Sequence, residues 1–186
     1  MMDGMEVTAF FVGGGSETVL WADTSAGAGA ASGTGWLLSE SGDTYGGLWT
    51  LLNNTGGGIA SIFIDAGAGD SVYDVGTLNS TDGSASGWTF QVVAGGGGLD
   101  IEATYSDVVS LTGDAPVGDL WRNLEIAFTN AGGLGTGHSL TYITDTDNLE
   151  FAGDINPVPE PASVTLLVLG LAGLAARRKR SGFSKD

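Results

Sequence analysis

The chemistry open to this sequence is almost entirely carboxylate chemistry, since 22 Asp and Glu stand beside one histidine and no cysteine. Without thiols there are no disulfides and no thiolate metal sites, and a single histidine cannot build a zinc centre. His138, in Gly135-Thr136-Gly137-His138, has no nucleophile in a recognisable motif beside it, so it reads as a surface or strand-edge residue rather than a general base. Two acidic groups remain. Asp65, Asp70 and Asp74 surround a glycine-rich turn, and Asp145-Thr146-Asp147-Asn148 with Glu150 forms the second. Loop carboxylates and an Asn carbonyl are the hard oxygen ligands that calcium takes, so Asp145, Asp147 and Asn148 are the candidate ligands of a structural calcium ion. The match is chemical only. Glu150 stands where an EF-hand needs its turn glycine, and no glutamate follows at the twelfth position. Aspartate is also an ordinary turn residue, which is the competing reading.

Other constellations carry less. Paired carboxylates can run glycoside hydrolysis, but so many acids offer pairs by accident. Gly95-Gly96-Gly97-Gly98 leads into Leu99-Asp100 instead of Gly-Lys-Ser/Thr, so it is no phosphate loop. Trp21, Trp36, Trp49, Trp88 and Trp121 include candidates for a sugar-stacking platform, yet each lies in or beside an expected strand, where core packing is the default. Asn53-Asn54-Thr55 and Asn79-Ser80-Thr81 match the short glycosylation sequon.

The elements that must position these groups read as strands. From Glu6 to Thr144 short runs rich in Val, Ile, Thr, Phe, Tyr and Trp are separated by Gly, Asp, Ser and Asn, with no sustained helical period. Strands are expected at Glu6–Val12, Thr18–Ala22, Gly35–Glu40, Leu48–Asn53, Ile59–Asp65, Ser71–Val75, Gly87–Val93, Asp100–Tyr105, Leu120–Asn130, Ser139–Thr144 and Leu149–Ala152. Alternation places Leu124, Ile126 and Phe128 on one inward face, Ile101, Ala103 and Tyr105 on another, and Trp88, Phe90 and Val92 on a third. Asn54-Thr55-Gly56-Gly57, Thr81-Asp82-Gly83 and Asn130-Ala131-Gly132-Gly133 supply turns that tolerate positive φ. The expected class is all-β, an antiparallel β-sandwich of jelly-roll-like type. A β-solenoid is the alternative, but no fixed period supports it.

Charge is segregated along the chain. Residues 1–176 hold 21 of the 22 acids and a single cation, Arg122, for a net 1 − 21 = −20, while five of the six Lys and Arg follow Ala176. So acidic a surface repels phosphate backbones, and no nucleic-acid partner is expected. The start, Met1-Met2-Asp3-Gly4-Met5-Glu6, is acidic and Val7–Val12 is too short for the apolar core of an export signal, so the true start is expected upstream.

The last 30 residues differ in kind. Val158-Pro159-Glu160-Pro161 leads into fifteen uncharged, mostly apolar residues, Ala162–Ala176, and then into Arg177, Arg178, Lys179 and Arg180. As a helix the apolar run spans about 22 Å, short of the roughly 30 Å hydrocarbon core. Its five leucines and two valines contribute only about −2 to −4 kcal/mol to insertion, while the cations hold that end in the cytoplasm and leave the acidic region outside. A short transmembrane helix of this kind suits a segment held briefly and then removed.

This tripartite order resembles the PEP-CTERM sorting signal of Gram-negative bacteria. The resemblance implies recognition by an exosortase, a membrane-embedded cysteine protease, around Pro159, Glu160 and Pro161. It also implies processing at the inner membrane and delivery to the cell surface, usually alongside exopolysaccharide. Two departures stand out: Ser181–Asp186 continues past the basic cluster, and no leading signal peptide is visible. The domain organisation that follows is an acidic, glycine-rich β-domain over 1–152, a spacer over 153–157, the sorting signal over 158–180 and a cytoplasmic tail over 181–186. The functional expectation is a non-enzymatic surface or extracellular-matrix protein with a structural or adhesive role. The alternatives are a calcium-dependent carbohydrate-binding or adhesin module, and an extracellular hydrolase.

Overall fold

The computed structural model describes residues 2–25, 27–76, 87–96, 98–110 and 116–148. They form thirteen strands: β1 (Glu6–Phe11), β2 (Ser16–Leu20), β3 (Ala22–Ser25), β4 (Ala28–Gly33), β5 (Trp36–Ser41), β6 (Leu48–Asn53), β7 (Ile59–Asp65), β8 (Ser71–Asp74), β9 (Gln91–Gly95), β10 (Ile101–Val109), β11 (Leu120–Phe128), β12 (Ser139–Ile143) and β13 (Asp145–Asn148). One 3-10 turn, Ala66–Gly69, joins β7 to β8. The described strands fall within one compact unit, Met1–Phe151.

Every strand pairing is antiparallel, as short segments joined by tight turns require. One sheet runs β13-β8-β11-β7-β1-β2 with β10 on the free side of β11; the other runs β3-β4-β5-β6-β12-β9. The described residues are therefore all-β and antiparallel, apart from the one 3-10 turn. Two strands pass from one sheet to the other at a single residue. β2 becomes β3 at Trp21, and β12 becomes β13 at Thr144. Both corner residues are buried.

The inner faces of both sheets share one core. Val7, Ala9, Ile62, Ile64, Leu124 and Ile126 from the first meet Trp36, Leu38, Trp49, Leu51, Leu140 and Tyr142 from the second. A run of rings crosses this interior. Trp21 and Trp49 lie 5.2 Å apart, Trp49 and Tyr142 stack at 6.1 Å, and Phe90 meets Tyr142 at 5.0 Å. Alternation behaves as expected on β11, where Leu124, Ile126 and Phe128 are buried and Glu125 is exposed.

Other expectations need correction. β3 and β4 were not anticipated, because Ala28–Gly33 is built of Ala, Gly and Ser and lacks the β-branched signature. Its smallness has a cause: a Cβ on Gly29 would run into the Trp21 indole, and one on Gly33 into that of Trp36. The strand expected over Gly87–Val93 begins only at Gln91 and is exposed along its length, so of Trp88, Phe90 and Val92 only Phe90 packs inward, against Tyr142. β9 is an edge strand, paired with β12 alone. Asp145–Asn148, expected as a loop, is a strand paired with β8. The expected strand Leu149–Ala152 and the turn Thr81-Asp82-Gly83 lie outside the described residues. No helix among the described residues is long and apolar enough to cross a membrane, and the expected helix over Ala162–Ala176 lies outside them.

Candidate functional site

An acidic cleft of about 510 Å³ opens where β13 of the first sheet meets β3–β5 of the second. Its construction follows from strand periodicity. On β5 the residues Trp36, Leu38 and Glu40 share the inward face, so the rule that buries the first two buries the third. Glu40 is only 3% exposed, and its Oε1 has no hydrogen-bond partner. This oxygen lies under the 42–47 turn, where a Cβ on Gly47 would strike it. The turn is closed by the Gly46 and Gly47 amides donating to the Asp43 carbonyl.

Asp23 enters from β3, immediately after the Trp21 corner. Its Oδ1 accepts from Trp21 Nε1 at 3.0 Å and from the Met2 amide at 3.3 Å, while its Oδ2 is buried without a partner. Asp43 stands on the exposed turn, and Asp147 and Asn148 of β13 complete the acidic wall. Burial, reinforced by the charges of Asp43 and Asp23, pushes the Glu40 carboxyl up to about 7. Among the described residues no Lys, Arg or His lines the cleft. Arg122 is elsewhere, 3.7 Å from Asp65 and 3.6 Å from Asp107.

The three candidate calcium residues are thus separated by their strand. Asp147 and Asn148 line the cleft, whereas Asp145 is buried and directly opposite Asp74 in the ladder. The Thr44 hydroxyl lies 3.0 Å from Asp145 Oδ1 and 2.8 Å from the Thr146 carbonyl, tying β13 to the turn after β5. Burial raises the Asp145 carboxyl to about 6, against the Thr44 hydrogen bond and with the charges of Asp147 and Asp74. Among the described residues, no three His, Asp or Glu side chains stand close enough together to hold a bare metal ion.

The other candidates scatter. Asp65 caps the 3-10 turn through the Ala68 amide, Asp70 adopts a left-handed backbone, and Asp74 accepts from the Gly76 amide. They share no site. His138 is exposed before β12. Asn53 is buried, its Nδ2 donating to the carbonyls of Gly57 and Leu134 at 2.8 and 2.6 Å, so the first sequon is not displayed. Trp21, Trp36 and Trp49 pack in the core, but Trp88 is 39% exposed and rests against Tyr45, itself 47% exposed, at 5.9 Å. Glu40 and Asp23 were missed as site residues. The signal was present for Glu40, an acid in register with Trp36 and Leu38.

The sorting residues Val158, Pro159, Glu160 and Pro161 and the basic cluster Arg177, Arg178, Lys179 and Arg180 lie outside the described residues. No curated protein and no solved structure matches the chain. A family model does match, over residues 157–180. Its span begins one residue before Val158 and ends on Arg180, the limits of the tripartite segment. The chain carries a PEP-CTERM protein-sorting motif, which implies exosortase-dependent sorting to the cell surface.

Proposed function

We propose that the protein is a non-enzymatic component of the cell surface or extracellular matrix, delivered there by removal of its C-terminal segment. The match over residues 157–180 carries the reading. In it, exosortase acts around Pro159, Glu160 and Pro161 while Ala162–Ala176 is held as a short transmembrane helix in the inner membrane. Arg177–Arg180 keep the tail cytoplasmic, and the strand domain stands outside. We read the two sheets, joined by strands that cross between them at Trp21 and Thr144, as a jelly-roll-like β-sandwich.

A structural or adhesive role alongside exopolysaccharide is supported by what the acids do. A general acid must reach the proton acceptor of its substrate. Glu40 and Asp145, the carboxyls with their ionisation displaced toward neutrality, are both buried, Glu40 with Oε1 under the 42–47 turn and Asp145 bonded to Thr44.

Fractionation with an epitope inserted before Gly153 tests the sorting claim. The expected result is a shortened, epitope-positive species at the surface or in the medium, replaced by an inner-membrane precursor in Glu160→Ala or on loss of the exosortase. Full-length protein that stays in the inner membrane whether or not the exosortase is present would sink it.

A further inference from the structure

We propose that the cleft between β13 and β3–β5 binds a calcium ion, with Glu40 and Asp23 as its inner ligands and Asp43 at its rim. The acids alone would not justify this. The independent observation is Glu40: a side chain at least nine-tenths buried, lining the cleft, with Oε1 lacking any donor. Asp23 repeats the pattern with its buried, unpartnered Oδ2. A buried carboxylate without a donor is costly and must either take a proton or receive a cation. Among the described residues no cationic side chain lines the cleft to do so, and a cation from solution would supply that charge.

The geometry selects the ion. The carboxylates arise from two strands and a turn and do not close into a compact cage. Such a site leaves much of the coordination shell to water and backbone carbonyls. Calcium accepts six to eight oxygens in irregular arrangement, whereas magnesium demands a near-ideal octahedron. The roughly 510 Å³ cleft has room for an ion that keeps part of its water. An ion is also small enough to reach Glu40, which a glycan is not. The ligand set extends the sequence-level candidates: Asp147 and Asn148 flank it, and Asp145 stands behind them bonded to Thr44. This inference is independent of the sorting reading, and either can fail without the other.

The test uses the full-length protein in detergent micelles, treated with EDTA and dialysed. Calcium chloride at 10 mM is expected to raise Tm by roughly 2–6 °C over sodium chloride of equal ionic strength, as a site of about millimolar affinity would. Equilibrium dialysis should find one strongly competed ion per chain. Asp23→Asn with Glu40→Gln should abolish both signals, while Glu102→Gln, exposed on β10, should leave them unchanged. Asp43→Asn, on the exposed turn, should weaken binding roughly three- to tenfold, read as calcium affinity against its own calcium-free baseline, which keeps the test decisive if the double variant folds poorly. No rise in the parent protein, an undiminished rise in the double variant, or an equal rise with magnesium would each overturn the assignment.

Discussion

Glu40 shows how one side chain can be readable in its position and unreadable in its consequence. Period two places it on the face of Trp36 and Leu38, but nothing in the local string says that Asp23 and Asp43 converge on it from a strand and a turn. Its effect on stability has a definite sign. A carboxyl whose folded pKa is raised favours the protonated form in the fold, so its contribution is complete below the unfolded value of about 4.5. That contribution is lost as pH climbs toward 7, the folded value. Without divalent cations, the protein should therefore lose stability between pH 4.5 and 7 on this account, by on the order of 1–3 kcal/mol. Glu40→Gln should flatten that part of the profile and gain stability at pH 7.5. Urea unfolding at successive pH values in EDTA checks this, and a parallel profile for parent and variant would contradict it. Asp145 acts in the same direction, up to about 6. Its partner Asp74 lies across the ladder, a long-range pairing that sequence spacing could not reveal.

At the scale of elements, the strands that announced themselves were those with branched and aromatic inward faces. β7 and β11 were expected nearly to the residue. β4 was invisible for a physical reason: a neighbour's ring uses the space its side chains would have filled. Trp21 covers Gly29, and Trp36 covers Gly33. Residues selected for what they leave empty carry no β signature. Gly29→Ala should therefore cost about 1–3 kcal/mol through displacement of the Trp21 indole. Gly46→Ala, where an added Cβ meets nothing within 4 Å and φ is unexceptional, should stay within about 0.5 kcal/mol. Denaturation midpoints followed by tryptophan fluorescence separate the two. Equal costs would mean that the indole yields without penalty. The strand that failed in the opposite sense is β9, whose Val92 and Val93 are exposed at an edge of its sheet. Edge position depends on strand order, which local composition does not encode.

Over the whole molecule, charge is the dominant long-range property. The region 1–176 carries a net −20, and Arg122 is its one cation, set between Asp65 and Asp107. Self-repulsion on that scale is screened by salt, with a Debye length near 10 Å at about 0.1 M. Raising sodium chloride from 10 to 300 mM should lift Tm by a few degrees in calcium-free buffer, and sucrose at matched osmolality should not reproduce the salt series; a flat salt response would show that the acids are too well spaced to matter. The sorting segment was legible for the opposite reason to the cleft. Its meaning lies in the linear order of motif, apolar run and cations, whereas the cleft exists only after β3, β5 and β13 come together. That meeting bears on how the molecule takes mechanical load. Among the described strands, a pull arriving from the C-terminal side reaches β13 first, a strand held to β8 by four residue pairs and to the other sheet by Thr44. Such a short ladder peels easily, but the corner at Thr144 passes the tension into β12, which is flanked by β6 and β9. β13 thus works as a tether that yields before the sheet behind it, and anything that tightened the cleft would stiffen that tether.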